Sequence, residues 1–287
     1  MNKHSTYDLA QMQSLPLEAK IRMTKQRIKI WYESWIRYEI YNEKTGKTRY
    51  VTATEEPPLR EHEYINSGID GQVYVSFSGG KDSTVLKHIV DSMYDDVPSL
   101  FVNTGLEYPE IQKFAMSQKN VITVRPEMRF DEVIKKYGYP VISKEVAKTI
   151  SEANRDVDHA VLAFEGKCVD GTPSKYRQRF VKYRYLVKSE IPISHKCCDA
   201  MKKTPAKKYE KESGRLPISG TMASESTLRL NAWRINGCNA FEASRPISQP
   251  LSFWTEQDVL EYIVKYNVPY CSVYGEIIGT YRGAVKF

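Results

Sequence analysis

The residues of this chain best suited to chemistry form one short run, Ser78-Gly79-Gly80-Lys81-Asp82-Ser83. The run follows an apolar stretch at 72–77 and precedes an amphipathic one, so it should join a strand to a helix. Two glycines let the backbone approach an anion, and a helix start presents unpaired N–H groups. Ser78 and Ser83 can donate hydrogen bonds, Lys81 supplies charge, and Asp82 can hold Mg²⁺ or cap the helix. We therefore expect a phosphate-binding loop.

Two common nucleotide loops do not match this run. A Walker A loop requires G-x-x-x-x-G-K-[ST], but Asp82 follows Lys81, and Val75 stands where the first glycine belongs. The dinucleotide pattern G-x-G-x-x-G also fails, because the run contains only Gly79 and Gly80. The run instead resembles the SGGxDS loop of the adenine nucleotide α-hydrolases, which bind ATP or adenylyl compounds and act at the α-phosphate or the group attached to it. The resemblance implies that all six residues contact an adenine nucleotide, with Lys81 and Asp82 also catalytic.

A second segment narrows the branch of that superfamily. Asn103-Thr104-Gly105-Leu106-Glu107-Tyr108-Pro109-Glu110 resembles the (D/N)TGxxxPE segment of phosphoadenosine-phosphosulfate (PAPS) reductases. The resemblance implies nucleotide contacts from Asn103, Thr104, Gly105 and Glu107. Because ligands bind at the carboxyl ends of the strands in doubly wound sheets, we expect Thr104 and Glu107 to face the same crevice as Ser78. The alternative is a plain turn into a helix.

A third segment runs from Ser219 to Arg229 and resembles the family element G-x-x-x-x-E-S-x-x-R. The resemblance implies nucleotide contacts from Gly220, Glu225 and Ser226. Relatives commonly carry an arginine where Met222 stands here, so Arg229 is the candidate for a catalytic, bidentate phosphate clamp. The alternative is a polar helix start with capping chemistry.

The closing signature of the family is also present, and it indicates structure more than chemistry. It comprises Pro250, Trp254, Asp258, Val259, Tyr262 and Ile263. The resemblance extends over about 71–274 and does not include residues 1–60.

Two adjacent cysteines raise the question of a metal cluster. The segment from Cys197-Cys198 to Pro205 resembles the C-C-x-x-x-K-x-x-P segment of iron–sulfur adenylylsulfate reductases, whose paired cysteines bind a [4Fe-4S] cluster together with a downstream C-x-x-C. No C-x-x-C occurs here, so the later ligands would have to be Cys238 and Cys271. The alternative is reduced thiols without a metal.

Three functions remain open on these motifs. Family reductases attack a sulfonate sulfur with a thiolate from a Cys-Gly-x-His tail, but residues 275–287 contain neither cysteine nor histidine. We therefore favour ATP with Mg²⁺ as the ligand and attack at its α-phosphate, in adenylation, ATP pyrophosphatase activity or sulfur transfer to an acceptor such as a nucleic acid. The alternatives are a reductase of PAPS or adenylylsulfate, and a non-catalytic nucleotide- or nucleic-acid-binding module.

The stretch 175–211 is strongly basic, with twelve lysines and arginines against three acids. Four aromatic residues are interleaved with these charges: Tyr176, Phe180, Tyr183 and Tyr185. This mixture suits phosphate contacts combined with base stacking, so DNA or tRNA is a candidate partner. The alternative is a solvated helix with its aromatic face toward a core. A third interpretation is that some of these lysines bind the phosphates of the nucleotide itself.

Periodicity predicts the elements that position these residues. Short apolar runs at 72–77, 99–103, 121–124 and 216–219 predict strands. One helix is predicted directly after the first strand, with its packed face between Val85 and Met93, and another at 255–264. The pattern predicts an α/β fold, a Rossmann-like doubly wound parallel sheet, in residues 71–287. Residues 1–70 form a helical N-terminal extension, in which the stripe Leu17, Ile21, Ile28, Trp31 and Trp35 predicts an amphipathic helix. Residues 14–36 could pack on the sheet or mediate association with a second copy or another protein.

Composition sets the remaining limits. The 287 residues carry a net charge of +7, which favours anionic partners without choosing among them. No apolar run reaches the length of a membrane span and the first residues are polar, so we expect a cytoplasmic protein that does not use a membrane. Five cysteines, an odd number, do not suggest a secreted disulfide framework.

Overall fold

The computed structural model describes residues 3–279 and 284–286. The chain divides into two compact units: the first runs to Val124 and resumes at Lys208, and the second is Arg125–Lys207. The boundary expected between residues 70 and 71 is not one of these division points. None of the helices in the described part of the chain is both long and apolar enough to cross a bilayer.

Unit one begins with two helices, α1 (Thr6–Gln13) and α2 (Leu17–Ser34). The apolar stripe expected between Leu17 and Trp35 is confirmed, because all five of its members are buried in the core of the central sheet. Packing of the extension on the sheet is therefore observed. Association through residues 14–36 stays a prediction and would have to use the other, charged face of α2.

A small antiparallel sheet follows the two helices. Its strands are β1 (Ile36–Asn42), β2 (Lys47–Ala53) and β3 (Glu63–Ile69), in the order β2-β1-β3. The extension is thus helical only as far as Ser34. Periodicity did not predict these strands, because the charged and polar residues at 42–62 mask the alternation of a strand.

The central sheet has six strands. They are β4 (Val73–Phe77), β5 (Ser99–Val102), β6 (Val121–Val124), β7 (Leu216–Ser219), β8 (Asn239–Ala240) and β9 (Ile247–Ser248). Their order is β6-β5-β4-β7-β9-β8, and all neighbours are parallel except β8 and β9. The α/β fold and the four predicted strands are confirmed. The two-residue strands β8 and β9 are too short to give a periodic signal.

The other helices and short segments complete the two units. Unit one contains α3 (Lys81–Asp91), α4 (Pro109–Ser117), α10 (Thr227–Asn236), α11 (Glu256–Tyr266), a 3₁₀ turn at Ser272–Tyr274, and the paired strands β10 (Ile278–Gly279) and β11 (Val285–Lys286). Unit two contains α5 (Phe130–Tyr137), α6 (Lys144–Ala153), α7 (Asp158–Phe164) and α8 (Gln178–Val181), and α9 (Thr204–Ser213) spans the second division point. Unit two has its own apolar core around Ile150, Phe164 and Phe180.

Two polar residues of α2 enter the core of unit one. Lys20 Nζ donates to both carboxylate oxygens of Asp258, at 2.8 and 2.7 Å. Thr24 Oγ1 accepts from Trp254 Nε1 at 2.9 Å and donates to the Pro250 carbonyl oxygen at 3.2 Å. The three partners belong to the closing signature at 250–263. The N-terminal extension therefore satisfies buried polar groups of that signature.

Candidate functional site

The loop between β4 and α3 has the backbone shape expected of an anion cradle. Gly79 has a φ of +74°, which favours glycine. A Cβ at this position would lie 2.9 Å from Ile111 Cγ2 and 3.3 Å from the Ile111 carbonyl oxygen in α4. Glycine is thus required for both its conformation and its size. The close approach of α4 holds the loop against the carboxyl end of β4.

Hydroxyl groups within the run fix the shape of the loop. Ser83 Oγ accepts from the Ser78 amide at 3.2 Å and donates to the Gly80 carbonyl oxygen at 2.9 Å. Ser78 Oγ accepts from the Gly80 amide at 3.3 Å. Gly80 is the N-cap of α3, and this residue has no side chain with which to cap the helix. The N-cap residue therefore supplies no capping oxygen at the positive end of the helix dipole, where a phosphate oxygen can accept from the amides.

Lys81 lies among carboxylates beside this loop. Its Nζ is 3.2 Å from Asp82 Oδ1 and 3.3 Å from Glu256 Oε1 at the start of α11. Burial opposes the charge of Lys81, but the two carboxylates outweigh it and raise the pKa of the ammonium. The cation is therefore fully charged at neutral pH, and Glu256, which was not among the predicted site residues, holds it in place.

For the Asp82 carboxyl, burial outweighs the favourable effect of the neighbouring cation. Burial raises the pKa of its carboxyl, against the favourable influence of Lys81, and the nearby charges of Glu225 and Glu256 raise it further. Three carboxylates therefore act on one another around the start of α3. Lys81 pairs with Asp82 and Glu256, and Arg229 pairs with Glu225, so these two cations offset part of the repulsion.

The second predicted loop follows β5 and is satisfied internally. Thr104 donates from its amide and from Oγ1 to Glu107, at 3.0 and 2.7 Å. The Gly105 amide donates to Asn103 Oδ1 at 3.0 Å. Because β5 is the parallel neighbour of β4, the two loops lie at the same edge of the sheet. The residues predicted to bind nucleotide are close to the cradle, and in this structure they shape their own turn.

The third predicted loop follows β7, the parallel neighbour of β4 on its other side. A Cβ at Gly220 would lie 3.0 Å from the Asp82 carbonyl oxygen, so this glycine permits close contact with the start of α3. In the sheet, β5 and β6 lie on one side of β4, whereas β7 lies on its other side. The switch between the two sides lies at the carboxyl ends of β4 and β7, where open α/β sheets bind ligands.

The polar residues after Gly220 have structural partners. Ser226 caps α10 by accepting from the Arg229 amide at 3.3 Å. Glu225 accepts from the Met222 amide at 2.6 Å and forms an ion pair with Arg229. Met222 is buried in the apolar core. The capping alternative for this segment is therefore observed, and the guanidinium of Arg229 remains partly exposed.

Tyr274 is a residue of the site that the sequence did not single out. It ends the 3₁₀ turn at Ser272–Tyr274, and its hydroxyl accepts from the Lys81 amide at 3.4 Å. The same oxygen would lie 3.3 Å from a Cβ on Gly80. The phenol therefore sits at the N-terminus of α3. No local pattern links a tyrosine to a loop 193 residues earlier.

The cysteines do not form the predicted cluster site. Cys238 and Cys271 are buried in unit one, whereas Cys197 and Cys198 are partly buried in unit two. Among residues 3–279 and 284–286, no group of three or more histidine, cysteine, aspartate or glutamate side chains could hold a metal ion. The four-cysteine set therefore does not fit a [4Fe-4S] cluster in this structure, and no chemistry is derived through one.

Comparison with known proteins is consistent with this site. The model of the phosphoadenosine phosphosulfate reductase domain matches residues 72–194 and 144–280, which together include every motif described above. An uncharacterised protein of Methanocaldococcus jannaschii is 35% identical over 72 residues, which are 24% of this chain and only 18% of that protein's length. The crystal structure of the PAPS reductase from Candida auris in complex with phosphate has a TM-score of 0.38 and 19% identity, over 74% of this chain and 83% of that one. The first of these matches extends over more than half of the sequence, and the chain belongs to the phosphoadenosine phosphosulfate reductase domain family.

Proposed function

We propose that this chain is an ATP-dependent enzyme in which an acceptor attacks the α-phosphate and pyrophosphate leaves. Enzymes of its family bind nucleotide substrates. The observation that supports the choice of ATP is the position of Asp82, a carboxylate in the first turn of α3 that pairs with Lys81 beside the phosphate loop. ATP is bound with Mg²⁺, which one carboxylate and the phosphate oxygens can hold, whereas reduction of a sulfonate requires no metal.

The cradle and Lys81 suit the charge that develops in such a reaction. Amides at the start of α3 and the Lys81 ammonium can stabilise negative charge on the phosphate oxygens. Asp82 is the residue that would hold Mg²⁺ together with the phosphates, since Mg²⁺ commonly takes one or two carboxylates and completes its shell with phosphate oxygens and water. When bound, the ion neutralises the leaving pyrophosphate.

The proposed step is balanced without an external oxidant or reductant. An acceptor oxygen forms a bond to the α-phosphorus, and the bond from that phosphorus to the bridging oxygen breaks. Pyrophosphate leaves with the electron pair, and the proton of the acceptor passes to solvent. The product is an adenylylated acceptor, or AMP when the acceptor is water.

The thiols of unit one support this reaction over a reductase. Cys238 and Cys271 are both buried, and burial raises the pKa of the Cys238 thiol. A nucleophilic cysteine requires a lowered pKa and access to the substrate. Attack by an acceptor on ATP needs neither.

The test is a paired turnover assay. The protein is incubated with ATP, Mg²⁺ and a panel of nucleic-acid and small-molecule acceptors while pyrophosphate is measured, and in parallel with PAPS or adenylylsulfate and thioredoxin while sulfite is measured. We expect pyrophosphate release that requires Mg²⁺ and is lost in Lys81→Ala. Sulfite release without pyrophosphate would overturn the proposal in favour of a reductase. Nucleotide binding without either product would indicate a non-catalytic module.

A further inference from the structure

The net charge of this protein is concentrated in one of its two units. Unit two contains 18 lysines and arginines and 11 aspartates and glutamates, an excess of seven. This equals the +7 of the whole chain, so unit one is neutral by the same count. A charge that merely aided solubility would not need to reside in one inserted segment of 83 residues. The distribution indicates a polyanionic partner for unit two.

The segment 175–188 of unit two, here called the basic–aromatic segment, has distinct inner and outer residues. Phe180 is buried in the core of unit two, and Tyr183 and Leu186 pack against that core. Tyr176 and Tyr185 instead remain 62% and 72% exposed. The interpretation of the aromatic residues as an inward face is therefore correct for Phe180 and Tyr183 only. The two outer tyrosines present their rings to solvent.

Three outer cations of the segment form no ion pair in the described chain. In the described chain, no acidic group lies within ion-pair distance of Lys175, Lys182 or Arg184, and all three are exposed. Arg179 and Lys188 differ, because they pair with Glu145 at 2.5 Å and with Asp156 at 2.9 Å. Lys175 and Lys182 are thus available to bind phosphates without first breaking an ion pair, and Arg184 has only a longer-range attraction to Glu165.

Cations and rings also alternate along the segment. The Arg179 guanidinium lies 3.9 Å from the ring centre of Tyr176, and Lys182 Nζ lies 4.9 Å from that of Tyr183. These contacts hold the long basic side chains beside aromatic faces. Tyr185, between Arg184 and the partly buried Leu186, is the most exposed ring of the segment.

We propose that the basic–aromatic segment binds single-stranded nucleic acid, with Lys175, Lys182 and Arg184 at the phosphates and a base stacked on Tyr185. Charge alone would fit any polyanion. Exposed rings next to cations favour a strand whose bases are free to stack. The proposal concerns unit two and does not depend on the reaction proposed for the phosphate loop.

The experiment measures binding of fluorescent 20-nucleotide strands by anisotropy, in the absence of ATP and at several salt concentrations. Single-stranded DNA and RNA of one sequence, their duplexes and polyglutamate are compared. Three phosphate contacts predict a slope of log K against log salt of about −2. The triple variant Lys175→Ala/Lys182→Ala/Arg184→Ala should remove most of that slope, and Tyr185→Ala should weaken binding at least about fivefold.

Matched controls remove the same groups from unit one. Lys44→Ala/Lys47→Ala/Arg60→Ala deletes three exposed cations, and Tyr7→Ala deletes a ring that is 69% exposed; both should leave binding unchanged. Equal binding of polyglutamate, or equal losses in the control variants, would overturn the proposal. Preference for DNA or for RNA identifies the class of strand. Because the binding assay contains no ATP, PAPS or adenylylsulfate, its outcomes are independent of the turnover assay.

Discussion

Lys20 and Asp258 form a buried ion pair between the N-terminal extension and the helix that carries the closing signature. Both oxygens of Asp258 accept from Lys20 Nζ, and the two side chains are 2% and 9% exposed. One of these oxygens also accepts from the amide and hydroxyl of Thr255, the N-cap of α11. The Asp258 carboxylate therefore binds Lys20 of α2 and also accepts hydrogen bonds from the N-cap residue of α11.

Lys20→Met should strongly destabilise the protein. Methionine retains most of the side-chain volume but leaves the Asp258 carboxylate buried without its cation. Removal of one partner of a buried pair typically costs about 3–5 kcal/mol. Urea unfolding followed by tryptophan fluorescence measures the change in the free energy of unfolding.

The control lies in the same helix. Lys29 pairs with Glu33 one turn later at 3.6 Å, with both side chains more than half exposed, so Lys29→Met should cost less than about 0.5 kcal/mol. Lys20→Met/Asp258→Asn should recover part of the loss, because asparagine removes the uncompensated charge and its Oδ1 can still accept from the Thr255 amide at the start of α11. Similar losses in Lys20→Met and Lys29→Met would contradict the assignment of a buried pair.

The sequence predicted the stripe of α2 but not its polar members. Lys20 and Thr24 are buried with that stripe, yet neither counts as apolar when periodicity is read. Their partners lie more than 220 residues away. A local pattern can therefore predict which face of a helix is buried, but it cannot predict a polar contact whose second half is remote.

Gly79→Ala should impair both stability and nucleotide binding. The left-handed backbone alone costs about 1–2 kcal/mol with a Cβ, and the clash with Ile111 should add about 1–3 kcal/mol. Gly171→Ala is the control, since Gly171 has a similar φ of +82° and no atom within 4 Å of its Cβ. Thermal unfolding and calorimetric titration with Mg-ATP should show the larger loss for Gly79→Ala. Equal effects would mean that α4 does not constrain the loop.

Asp82→Asn should stabilise the nucleotide-free protein at neutral pH. Burial raises the pKa of this carboxyl, so its contribution to stability is present below the unfolded value of about 4 and is lost as the pH rises through the higher folded value. The melting temperature of Asp82→Asn should exceed that of the wild type at pH 7.5, and the difference should shrink at pH 4.

The same variant should bind Mg-ATP at least about tenfold more weakly, as expected when a metal-binding site is altered. The measurement is titration with ATP in Mg²⁺ and in EDTA. Only the Mg²⁺-dependent part of the affinity should be lost. If the variant is not stabilised and its binding of Mg-ATP is unchanged, Asp82 does not belong to the site. If it is stabilised but the Mg²⁺ dependence of its ATP binding is unchanged, Asp82 is not a ligand of the ion.

Arg229 can be separated from its partner by two variants. If its guanidinium clamps a phosphate in the transition state, Arg229→Ala should lower kcat by about 10²-fold. Glu225→Gln loses the ion pair but still accepts from the Met222 amide, so it should have a much smaller effect. Comparable losses in the two variants would show that Arg229 serves only to hold Glu225.

The sequence predicted those parts of the candidate site that a local motif at the end of a strand identifies. The loop 78–83, the turn at 103–107 and Gly220 lie at strand ends that periodicity locates, and parallel pairing brings those ends to one edge of the sheet. Glu256 and Tyr274 were missed, because each reaches the loop from a distant helix or turn. Unit two was also not predicted as a separate body, since its helices are short and its core is small.

The pairing of Lys20 with Asp258 also has a consequence in time. The two residues are 238 positions apart, and synthesis at about 5–20 residues per second places roughly 12–48 s between them. During that interval α2 exists without the helix that receives its lysine. Helix α2 therefore reaches its final contacts only after α11 has been made, and nascent chains stalled before residue 258 should retain α2 in an accessible, protease-sensitive state.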